Sequence, residues 1–247
     1  MISAIRRRLA RPLRARAKAA QARGDWAAAL SAYQQIALIS GDRPALALQI
    51  GHMQAETGHF DNAGESFKRA AADQEFRLRA MVGLAGLAER RGDWSAAVVA
   101  WEGVLEQMAL EEATGMAAAW PLSPALVALH LAKCREGAGD GAGAERDFAM
   151  ALIIDPTSRR SREAVLMRAR MLAKTSRASA FRLLKRSRPL YPDDRGIAHM
   201  LLNTALDLGR RDDAVAIFRA LPTEVRADPA VIAVFHSHGY AVVPETS

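Results

Sequence analysis

Small and large apolar residues return along this chain at fixed distances from a recurring polar turn. Counted from Gly24, Gly58, Gly92, Gly139, Thr175 and Gly209, the fifth position on is always alanine: Ala29, Ala63, Ala97, Ala144, Ala180 and Ala214. The ninth is always large and apolar: Tyr33, Phe67, Trp101, Phe148, Leu184 and Phe218. Eight places before the turn stand Ile50, Leu84, Leu131, Met167 and Leu201, with Arg16 in the first copy. The next residue is small at Ala17, Gly51, Ala85 and Ala132 and breaks the rule at Arg168 and Leu202. A small residue four places before a large one shares its helical face, because three to four residues make a turn. Glycine accepts the left-handed conformation that ends a helix, and the following aspartate of Gly24-Asp25 and Gly92-Asp93 suits the N-cap of the next. Each unit therefore predicts helix, turn, helix.

The first helix is expected from Pro12, in its first turn, to about Arg23, and the second from about Trp26 to Ile39. The second unit spans about Pro44 to Ala72 and the third about Phe76 to Met108. The first three turns lie 34 residues apart, whereas Gly92 and Gly139 are separated by 47, which places an insertion at about 108–124. It extends the preceding helix, then forms a surface loop ending at a cap, Ser123, before Pro124. Residues 125–154 make the fourth unit, and the sixth runs from about Asp194 to Leu221. A last helix, about Pro229 to His236, offers Val231, Ile232, Val234 and Phe235 to cover the final repeat. The tail from Gly239 to Ser247 carries no readable pattern.

The phased alanines, the aromatic positions and the 34-residue period resemble the tetratricopeptide repeat, over about residues 11–226. That family's proline near the end of the second helix occurs only as Pro156 and Pro192, and the fifth unit is the most degenerate. The resemblance implies an all-α fold, a right-handed α-solenoid of about six helix-turn-helix units with a C-terminal capping helix. It divides the chain into a basic N-terminal arm (1–11), the solenoid (12–226) and a cap with tail (227–247). It also implies a non-enzymatic scaffold or adaptor that holds a peptide segment of a partner protein in a concave groove lined by the first helix of each unit.

Mapped onto this chain, the groove positions are Arg11, Arg14, Lys18 and Gln21, then Leu48 and His52, then Arg79, Val82 and Glu89. The fourth unit adds Leu126, Leu129, Lys133 and Glu136, the fifth Arg162, Val165 and Leu172, and the sixth His199, Asn203 and Leu206. An apolar floor with cations at one end suits a peptide with apolar side chains and an acidic portion. Some family members clamp a terminal carboxylate with lysine and asparagine on successive first helices. Arg14 and Lys18 replace that set only partly, so the specificity is not carried over.

The net charge of +7 on 247 residues is uneven. Residues 1–23 hold eight basic and no acidic side chains, and 159–188 hold eleven against one; the stretch between them, 24–158, and the stretch after them, 189–247, are both acidic on balance. The second block includes Arg177, Arg182, Lys185, Arg186 and Arg188, which the resemblance places mainly on a second helix, on the convex side. This asymmetry raises an alternative, binding of nucleic acid or an acidic membrane through the two blocks. No apolar run reaches membrane-spanning length, so peripheral attachment is the remaining membrane role; a cytoplasmic setting is expected from the cysteine usage, since nothing implies an oxidising compartment. A single cysteine, Cys134, cannot form an intrachain disulfide.

Chemistry is thin. The glycines of 137–143 have the density of a phosphate-cradling loop but no preceding strand, and the helix-turn-helix phase already explains them. His236 and His238 lack the cysteine or carboxylate company of a metal site, and no nucleophile, base and stabiliser come together. Catalytic, cofactor and metal residues are therefore expected to be none.

Overall fold

The computed structural model describes residues 2–41, 43–115, 120–155 and 159–240. Among these there are fourteen α-helices, one 3-10 turn and no strand. The helices pair as predicted: α1 (Ile2–Ala22) with α2 (Trp26–Ser40), α3 (Pro44–Glu56) with α4 (Phe60–Ala71), α5 (Gln74–Arg91) with α6 (Trp94–Ala113). Then follow α7 (Pro124–Gly137), α8 (Gly141–Ile154), α9 (Arg159–Thr175), α10 (Arg177–Ser187), α11 (Arg195–Asp207), α12 (Arg211–Arg219), α13 (Thr223–Arg226) and α14 (Pro229–Ser237). The architecture is an all-α solenoid of helical hairpins. The chain forms two compact units, Met1–Asp140 and Gly141–Ser247.

The repeat phase read from the sequence is the packing phase. All six phased alanines are 0% exposed, and their large partners are buried in every copy. Five turns close on a glycine with positive φ, between 70° and 85° at Gly24, Gly58, Gly92, Gly139 and Gly209. Asp25 and Asp93 then accept hydrogen bonds from the amides of Ala28 and Ala96, at 3.0 and 3.1 Å. The fifth turn uses other chemistry. With no glycine at Thr175, α9 runs to that residue and Ser176 alone separates the helices, its hydroxyl accepting from the Ser179 amide.

Pro12 sits inside α1, which begins at Ile2, and not in its first turn. An interior proline forfeits a hydrogen bond and crowds the carbonyl four residues back. The helix nevertheless continues, because Ala10, Ala17 and Ala20 are fully buried and Leu13 packs beside them on one face against α2. Of the insertion, α6 extends to Ala113 and Ser123 caps α7 at the Leu126 amide; residues 116–119 lie outside the described residues, as do Pro156 and the tail beyond Tyr240. Trp120 and Leu122 pack against the cluster of Trp101 and Met108.

In the second unit one cluster joins Val165, Phe181, Leu184, Leu201 and Phe218 to Val231, Val234 and Phe235 of α14. Phe218 and Phe235 meet edge to face at 5.3 Å, which is the capping role expected of the last helix; Ile232 is only half-buried. The 3-10 turn Arg188–Leu190 and the short α13 were not foreseen, since a four-residue helix leaves no periodicity to read.

Candidate functional site

Three first helices of the N-terminal unit, α1, α3 and α5, surround a pocket of about 470 Å³. Its wall carries four cations, Arg14, Lys18, Arg43 and Arg79, over the apolar side chains of Leu46, Leu48 and Phe76. Among the described residues none of the four has an acidic partner. Tyr33 reaches the pocket from α2, and its hydroxyl donates to Gln21 Oε1 at 2.8 Å. Burial pushes the Tyr33 phenol above its ordinary pKa, so the ring presents a neutral polar tip.

Arg14, Lys18, Leu48 and Arg79, named from the sequence, thus come together, along with Gln21. Arg43 and Phe76 were missed. The signal for Arg43 was its position before Pro44: a residue preceding proline is driven to extended backbone, here φ −117° and ψ 143°, which holds it at the mouth of α3. Arg11 is exposed but does not line the pocket, and His52 packs edge-on against Phe67, ring centres 5.0 Å apart.

Further along, the groove positions divide. Leu129 and Val165 are buried, so neighbouring helices cover them and they serve packing. Val82 is half-buried against the Trp101 cluster. Lys133 is half-buried, and Arg162 is tied to Asp194. His199 is exposed, and Asn203 donates to Asp207 at 3.3 Å.

Glu89 was mapped as a groove position, but its Oε1 is the meeting point of three donors. Trp101 Nε1–H donates at 2.6 Å, Cys134 Sγ–H at 3.4 Å, and His130 Nδ1 lies 2.7 Å away. The imidazole also stacks on the indole, centres 4.4 Å apart. Burial works to raise the Glu89 pKa, yet the hydrogen bond and charge of His130 and the bonds from Cys134 and Trp101 outweigh it, leaving the carboxyl below its ordinary range. Burial, the Glu89 charge and that hydrogen bond push the Cys134 thiol up to about 12. In two copies the residue three before the turn answers the one nine after it. Tyr33 meets Gln21 and Trp101 meets Glu89, whereas at the same sequence positions Phe67, Leu184 and Phe218 have Ala55, Leu172 and Leu206; the fourth copy departs from this, with Glu136 at the position that answers Phe148. A buried donor needs an acceptor; a hydrocarbon ring does not.

Four of the eleven cations of the second basic block meet carboxylates of their own unit. Arg162 pairs with Asp194, Arg168 with Glu145, Arg177 with Asp207 at 3.6 Å and Lys185 with Asp213 at 3.9 Å. Arg168, standing where four other copies have a small residue, reaches Glu145 on the preceding helix. Arg188 is half-buried, its guanidinium pKa lowered by desolvation. Leu172, mapped to the groove, lines one pocket with Arg182, Lys185 and Arg186, mapped to the opposite face. Among the described residues no group of three histidine, cysteine or carboxylate side chains is arranged to hold a metal, and no helix is long and apolar enough to cross a membrane.

No family model matches the chain, and no curated protein does. Solved structures do. A tetratricopeptide repeat protein from Parabacteroides merdae superposes with a TM-score of 0.62 over 93% of this chain and 85% of its own, at 14% identity. Pseudomonas aeruginosa pilF gives 0.62 over 94% and 99%, at 12% identity. The fold is that of the tetratricopeptide repeat. YrrB, described as a tetratricopeptide-repeat protein with an unusual peptide-binding site, matches at 0.56 over 83% and 96%, with 10% identity. At such identities the likeness is one of fold.

Proposed function

We propose that the chain is a non-enzymatic interaction scaffold, and that the pocket on α1, α3 and α5 holds a segment of a partner protein carrying apolar side chains next to acidic ones. One observation carries this reading: Arg14, Lys18, Arg43 and Arg79 surround an apolar floor without acidic partners of their own among the described residues. Unpaired cations at the rim steer an acidic ligand, while Leu46, Leu48 and Phe76 supply surface to bury. Gln21 and the Tyr33 hydroxyl add hydrogen bonds that fix register. The elements that would bind belong to a repeat fold of which one solved relative in shape is described as binding peptide. The anionic-surface alternative is the weaker one for Arg162, Arg168 and Arg177, which carboxylates of the same unit already engage.

The test is selection of peptides on the full chain from a display library, followed by fluorescence anisotropy at two salt concentrations. Selected peptides should combine acidic and apolar residues, and Arg14→Glu with Lys18→Glu should weaken them at least tenfold, about 1.4 kcal/mol. Equal binding to wild type and to the double variant would place the partner elsewhere.

A further inference from the structure

The pocket beside α10 in the second unit has a different charge balance from the rest of its basic block. It encloses about 460 Å³, a size in the range of small-ligand sites. Arg168 enters its wall already neutralised by Glu145, and Lys185 leans toward Asp213. Arg182 and Arg186 are exposed and have no acidic partner among the described residues; Arg182 is aligned by the Ser179 hydroxyl at 3.0 Å. The floor is apolar, from Leu172 and Leu183.

From this we infer that the α9–α10 pocket is a binding site for a phosphomonoester with a small apolar body, its dianionic head held by Arg182 and Arg186 with Lys185 beside them. Two unneutralised guanidinium groups match the charge of about −1.5 to −2 that a phosphomonoester carries at neutral pH. Guanidinium forks also donate to phosphate oxygens in pairs, which a single carboxylate charge would exploit less fully. The two leucines give the remainder of the ligand a dry surface. The inference is independent of the peptide pocket, which lies in the other compact unit.

The experiment titrates the full chain by calorimetry, at physiological ionic strength, with phenyl phosphate, inorganic phosphate and benzoate, and measures co-sedimentation with phosphatidylcholine vesicles doped with phosphatidic acid or, at equal surface charge, phosphatidylserine. Saturable binding of phenyl phosphate is expected, tighter than that of inorganic phosphate or benzoate, and weakened at least tenfold by Arg182→Glu with Arg186→Glu. Because both side chains are exposed, circular dichroism of this variant should match wild type; Arg186→Lys, which keeps the charge but not the fork, should lose an intermediate amount. Capture by phosphatidic acid vesicles alone, lost in the same variant, would assign the phosphomonoester to a lipid headgroup. Binding that phosphatidylserine reproduces, no saturable binding in any arm, or phenyl phosphate binding untouched by the double reversal would overturn the site.

Discussion

Phe67 and Trp101 occupy the same place in successive repeats, and the chain has solved the two sites in opposite ways. Phe67 is accommodated by shape. A Cβ built on Gly51 would stand 2.8 Å from its ring, and one on Gly83 only 2.7 Å, so the ring needs glycine in both α3 and α5. Trp101 is accommodated by polarity, with its N–H answered by Glu89 and its face covered by His130. The repeat dictates where bulk goes, and the neighbouring helices decide whether space or hydrogen bonding receives it. Shape leaves little tolerance for added atoms; polarity leaves little tolerance for a missing one.

The largest expected effect lies on the side of shape. Phe67→Ala should cost about 3–5 kcal/mol in denaturant unfolding. Gly83→Ala should cost about 1–3 kcal/mol through overpacking, and Phe67→Leu should recover part of that loss in the double variant, because Cε1 and Cζ, the two ring atoms nearest the new Cβ, are gone. Strict additivity of the two changes would refute the seating of the ring.

On the side of polarity, Glu89→Leu should cost about 1–3 kcal/mol by orphaning the indole N–H, and Glu89→Gln, which keeps an acceptor, distinctly less. Equal losses for the two would mean that volume and not hydrogen bonding holds Trp101. The same knot predicts a pH signature. Since the folded Glu89 pKa is lowered, its contribution is fully present above the unfolded value and is lost as pH falls through the folded one; urea midpoints of wild type should drop more than those of Glu89→Gln below about pH 4.5. Cys134 runs the other way: its folded pKa is raised, so its contribution holds below the ordinary 9.0 and declines as pH rises toward 12. Thiol alkylation at pH 8 should accordingly require unfolding.

The smallest effect belongs to the surface. Arg91 and Asp61 meet at 2.6 Å, but Asp61 is almost fully exposed, so Arg91→Ala should change stability by no more than about 1 kcal/mol. A larger loss would show that such pairs, and not the seating of the aromatics, join α5 to α4.

The seating of the aromatics was legible because periodicity survives in any sequence that must bury one face. Every phased alanine and its large partner could be placed without coordinates. The roles of polar residues were less legible. Glu89 and Gln21 occupy the same repeat position, yet the part-buried Glu89 is tied to Trp101, Cys134 and His130, the last 41 residues away, while Gln21 borders an open pocket. Arg43 was hidden because it belongs to a connection and not to a helical face. Pro12 misled because proline is most at home in a first turn, and Ala10 alone gave a weak sign of the helix before it. At the fifth turn the missing glycine looked like decay, whereas Ser176 is a working cap.

The compact units divide between α7 and α8, within what the sequence counts as one hairpin. The sequence repeat and the compact units therefore have different borders. Anyone trimming the chain by whole repeats would end the first piece near Leu122 and strip Val127, Leu131 and Cys134 from the cluster of Trp101, Val104 and Met108, leaving those three side chains wet. Trimming at Asp140 keeps α7 as their lid, together with Gly137, over whose bare Cα the Trp94 ring lies.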